Sequence, residues 1–246
     1  MTEKLVTYGL SCTVYLLEAV VLFFLLYRRH GRRLRGVLIY LIALIALDGI
    51  GRSYVLYRFG LSSREYAYFF WLTDVLLALA AFLLVCVFFR RACLPEPKMW
   101  HFLRLLLSFV FILVLGISIS SLLHNYGNLF SRFIVEFQQN LYFTCLVLTT
   151  LLFLLIQWIQ SADEELALLV VGMGIQFAGP AANFALVTLT PGRQFASVLY
   201  AYLGPLCTLG MLLTWLYAVA RVPEAARVPA REERVEELAV VPSRRA

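Results

Sequence analysis

The chain has 246 residues, 62% of them hydrophobic and 15% charged, with a net charge of +6 and a mean hydropathy of +0.83. A soluble domain is nearer half apolar and about a quarter charged, so a water-soluble globular fold is excluded. Apolar runs of roughly 19 to 25 residues, the length an α-helix needs to cross a hydrocarbon core, recur seven times, and the expected fold is an all-α bundle of seven transmembrane helices.

The first span is read at residues 5–27. Its basic cluster follows the apolar run rather than preceding it, so it is expected to remain as a span and not to be cleaved as a leader. It contains one acid, Glu18. The segment "RRHGRRLRG" then places Arg28, Arg29, Arg32, Arg33 and Arg35 within nine residues. The second span, 37–57, overlaps "LIALDGIGRSYVLYR" (Leu44 to Arg58), where Asp48 and Arg52 are four apart and share a helix face. The third, 66–89, is entered through the aromatic stretch "REYAYFFW" and carries Asp74. The fourth is read at 103–123.

The fifth span is read at 135–159. Its entry, "FIVEFQQN" (Phe133 to Asn140), is amphiphilic and is expected at the membrane interface. The sixth, 166–189, contains "GIQFAGPAANF", in which Pro180 interrupts the helix ladder between Gln176 and Asn183. Gly174, Ala178 and Ala182 recur at four-residue steps, a pattern that lets a neighbouring helix approach closely. The seventh, 195–219, carries a second helix-interrupting proline, Pro205. These two prolines with Gln176 and Asn183 form a candidate hinge or cavity lining. Residues 221–246 hold three prolines and eleven charges, which predicts a charged, disordered cytoplasmic tail.

Lysine and arginine placement sets the expected orientation. Fifteen of the 21 fall on the side of the first loop, the third loop and the tail. That predicts an outside amino terminus and a cytoplasmic carboxyl terminus. The segment "SADEE" (Ser161 to Glu165) runs against the pattern, being acidic on the arginine-rich side. The arginines also predict contact with anionic lipid headgroups at Arg28, Arg29, Arg32, Arg33 and Arg35. No nucleic-acid motif accompanies them, so a nucleic-acid partner is not expected.

At about 1.5 Å of rise per residue, Asp48 and Arg52 lie about 20 and 25 Å from the cytoplasmic edge. Asp74 lies at about 24 Å and Glu18 at about 15 Å on the same count. Arg52 and Asp74 therefore share a depth on sequential, antiparallel helices. A bare charge near mid-bilayer costs at least about 2.5 to 3.5 kcal/mol, which an arginine flanked by acids largely avoids. Two readings stand at this point. Asp48, Arg52 and Asp74 form either a self-neutralising clamp or, with Glu18, a proton relay or the floor of a ligand cavity.

Several functions are excluded or left without support. The only lysines are Lys4 and Lys98, neither within a span, so a retinal Schiff base in the last span is ruled out. His30, His101 and His124 are read as loop residues, which argues against paired haem ligands in the bundle. There is no HExxH, GxSxG or GxGD motif, and the five cysteines form no CxxC pair. No catalytic group, cofactor or metal site is expected.

Three stretches together, "RRHGRRLRG", "YAYFFWLTDVLLALAAFLLVCVFFR" and "LFSRFIVEFQQNLYFTCLVL", make the whole chain similar to uncharacterised seven-span proteins of acidobacterial type. The resemblance implies a multi-pass protein of a bacterial inner membrane and brings no activity with it. Two functional expectations remain. One is a sensory or scaffold bundle that binds a small ligand or lipid and acts through a protein partner on its cytoplasmic face. The other is a transporter, or its membrane subunit, using the Asp48–Arg52–Asp74 cluster.

Overall fold

The computed structural model describes residues 2–27, 34–60, 63–94, 97–123, 129–159, 163–189 and 193–221. Residues 222–246 and Arg28, Arg29, Arg32 and Arg33 lie outside the described residues, as do His30 and His124. Among the described residues the fold is all-helical. Seven rods are long and apolar enough to cross a membrane.

The first rod is α1 (Thr2–Tyr27). The second, Arg35–Phe59, is assembled from three consecutive pieces: α2 (Arg35–Leu44), a π-helical segment (Ile45–Gly51) and α3 (Arg52–Phe59). It ends at Gly60, whose φ of 79° is open to a residue without a Cβ. The remaining rods are α4 (Arg64–Ala92), α5 (Pro97–Leu123), α6 (Leu129–Trp158), α7 (Glu164–Leu189) and α8 (Arg193–Arg221).

These helices overrun the apolar stretches that announce them, because backbone pairing continues into the polar flanks. At the start of α4, for example, the Ser63 hydroxyl accepts the Tyr66 N–H at 3.1 Å and caps the helix. His101 belongs to α5 and not to a loop. The stretch "FIVEFQQN" is continuous with α6, and its Ile134, Phe137 and Gln138 are buried against the bundle.

Six rods close a ring. In order around it, α1 packs on the second rod, that on α4, α4 on α6, α6 on α7, α7 on α8, and α8 back on α1. The fourth rod, α5, stands outside against α4 and α6. Its outer face exposes Phe102, Leu105, Phe109, Ile112 and Ile117, as a lipid-facing helix would.

The most extensive contact is α7 on α8. Gly174, Ala178 and Ala182 do not make it: Ala178 and Ala182 are exposed, and a Cβ on Gly174 would meet nothing within 4 Å. The seam instead uses Gly172 and Gly179. A Cβ on Gly172 would come within 2.6 Å of the Trp215 ring, and one on Gly179 within 2.8 Å of the Cys207 sulfur. Trp215 is fully buried, donates its indole N–H to the Leu169 carbonyl at 3.0 Å and meets Tyr40 edge-on, joining α8 to α7 and to the second rod.

Candidate functional site: a charged cavity inside the helix ring

The second rod carries its charges where its backbone widens. The π segment contains Asp48 between Leu47 and Gly49 and hands over to α3 at Arg52. Such widened turns occur often at functional sites. A Cβ on Gly51 would lie 3.0 Å from the Phe69 ring, so a small residue is needed for α4 to approach this closely.

Arg52 is engaged on every nitrogen. Its Nη1 donates to Asp48 Oδ1, its Nη2 to Asp74 Oδ1, and its Nε to the Thr73 hydroxyl at 3.1 Å. The guanidinium carbon stands 4.2 Å from the centre of the Phe70 ring, a cation–π contact. The second oxygen of Asp74 accepts the Gln138 side-chain N–H at 2.9 Å. Thr73, itself buried, returns its hydroxyl to the carbonyls of Phe69 and Phe70.

This cluster forms one wall of a cavity of about 300 Å³. All six ring helices contribute to its lining and α5 does not. Ser11, Val14 and Tyr15 come from α1; Tyr40, Leu44, Asp48 and Arg52 from the second rod; and Phe70, Asp74, Leu77 and Ala81 from α4. Opposite stand Tyr142 of α6, Gln176 and Pro180 of α7, and Gly204, Pro205 and Thr208 of α8. The charged triad and the proline region, separate features in the sequence, thus face each other across one space.

Both prolines lie inside helices that run on through them. Pro180 has no N–H to give the carbonyl four residues earlier, that of Gln176. Asn183 is buried but does not line the cavity, and its Oδ1 has no hydrogen-bond partner. Glu18 is 1% exposed, and neither of its carboxyl oxygens has a partner. It lies about one turn along α1 from the lining residues Val14 and Tyr15, and it is within electrostatic range of Asp48 and Tyr40. It does not line the cavity.

A second charged cluster lies at the other end of the bundle. Arg91, near the end of α4, donates its Nε and Nη2 to Asp163 at 2.8 to 3.0 Å and its Nη2 to Glu165 at 2.8 Å. Asp163 also accepts the Leu166 N–H at 3.3 Å, capping α7. Two acids of the acidic segment are thus paired with an arginine at the end of α4, which accounts for their place among basic residues.

Gln138, Thr73, Phe70 and the tyrosines around the cavity were not marked as site residues in the sequence. The signal for Gln138 was present in "QQN", polar residues entering an apolar helix. Among the described residues no group of three or more His, Cys, Asp and Glu is placed to hold a metal ion. Comparison of the chain with protein families, curated proteins and solved structures finds no match to any of them.

Proposed function

We propose that the chain is a multi-pass protein of a bacterial inner membrane, amino terminus outside, that binds a small polar ligand in the ring cavity and reports it to a protein partner on its arginine-rich face. The observation carrying this reading is the cavity itself. A ligand there touches six helices at once and competes for polar groups that now hold the second rod to α4. A cavity of about 300 Å³ is at the small end of ligand pockets. The π segment and the two prolines are places where a helix yields with least loss of backbone pairing. On this reading Arg28, Arg29, Arg32, Arg33 and Arg35 rest on anionic headgroups and offer the docking face.

A transporter is the second reading, and one observation favours it. Interrupted helices at a buried polar site are a recurring feature of transporter binding sites, and the π segment, Pro180 and Pro205 all meet at this cavity.

Reconstitution into proteoliposomes separates the two. Transport predicts ion or proton flux that disappears in Asp74→Asn. The sensory reading predicts no flux and a co-purifying partner that is lost when Arg32, Arg33 and Arg35 are neutralised together. Absence of both flux and partner overturns both.

A further inference from the structure

The groups left unpaired around the cavity share one polarity. Glu18 Oε1 and Oε2 and Gln176 Oε1 are buried oxygens without a hydrogen-bond partner. Pro180 withholds the N–H that would otherwise occupy the Gln176 backbone carbonyl. Arg91 Nη1, the one unpartnered buried side-chain nitrogen among the described residues, is at the opposite end of the bundle. An unmet buried acceptor costs about 1 to 3 kcal/mol, so the cavity is short of donors.

Charge points the same way. Asp48 and Asp74 face one cation, Arg52, and the buried Glu18 lies near Asp48. Arg52 is already spent on two carboxylates, a hydroxyl and a ring, and offers little to an anion. Asp74 has both oxygens engaged, by Arg52 and Gln138. Asp48 is bonded to Arg52 through Oδ1 and has the most accessible side chain of the triad, at 30% against 16% and 15%.

We infer that the cavity binds a small primary ammonium compound, its N–H donors directed to Asp48 and Gln176 with the Glu18 carboxyl near Asp48. This rests on the ligand-binding reading above and names the class of ligand. The tyrosines lining the space suit an ammonium ion through their ring faces. At about 30 Å³ per water, the volume corresponds to about ten waters. That admits a short alkylamine.

The test uses the full chain in lipid nanodiscs at constant ionic strength. Thermal unfolding and calorimetry are measured with n-butylammonium chloride, 1-butanol, sodium butanoate, and sodium and potassium chloride. The expected result is saturable binding of n-butylammonium with a rise in the unfolding midpoint. Its Kd should weaken at least tenfold in Glu18→Gln and in Asp48→Asn, and change less than twofold in Glu164→Gln, an exposed acid at the start of α7.

Equal or tighter binding of 1-butanol or butanoate overturns the ammonium assignment and leaves the cavity as a ligand site. An equal effect of sodium or potassium does the same in favour of an inorganic cation. Retention of wild-type affinity in both Glu18→Gln and Asp48→Asn removes these acids from the site and overturns the inference. If no probe binds saturably, the ligand-binding reading fails with it. The probe series on the unaltered protein decides the ligand class even where a variant does not fold.

Discussion

Arg52 and Arg91 are each held by two carboxylates, yet their surroundings differ. Arg91 joins α4 to the capped start of α7, with Glu165 only 1% exposed, and the ring cavity does not reach it. Arg52 sits on a widened turn, faces a cavity, and has the orphaned acid Glu18 near its partner Asp48. An arginine balanced by two acids is therefore not diagnostic by itself. What separates a brace from a site is whether space is left over beside the pair.

The comparison can be broken most forcefully at the brace. Arg91→Leu leaves Glu165 buried without its cation and should lower stability by about 3 to 5 kcal/mol, read as thermal unfolding in nanodiscs. A loss below about 1 kcal/mol, the range of an exposed pair, would show that Arg91 braces nothing. Arg52→Leu should cost about 2 to 3 kcal/mol, below the buried-pair range because the cavity keeps its acids partly accessible. Combining it with Asp74→Leu should recover part of that loss. A double variant no better than the single one would deny the pairing between the second rod and α4. Gln138→Leu removes a hydrogen bond to a charged group and should cost about 1.5 to 2 kcal/mol. If unfolding is unchanged, α6 contributes nothing to the cluster.

The seven rods were legible because an apolar run long enough to cross a membrane has no counterpart in a soluble domain. The approximate equality of depth between Arg52 and Asp74 was legible too, since rise per residue converts sequence into height. Position around a helix was not. Residue counting gave no reason to aim Gln138 at Asp74, and it left Gly174 as a packing residue when Gly172 and Gly179 make the seam with α8. Nor could it show the π segment, because one wider turn alters hydrogen bonding without altering composition. The meeting of the charged triad with Gln176 and Pro180 depends on ring order, which follows from packing between helices distant in sequence.

The direct test of the distinction is the unfolding midpoint of Glu18→Leu and Glu165→Leu, measured side by side in the same nanodisc without added ligand. Removing an acid held for an absent ligand should raise stability, by about 1 kcal/mol. Removing an acid that neutralises a buried arginine should lower it, by about 3 kcal/mol. Opposite signs are the predicted result. A loss in both would make Glu18 a structural partner like Glu165 and contradict the account.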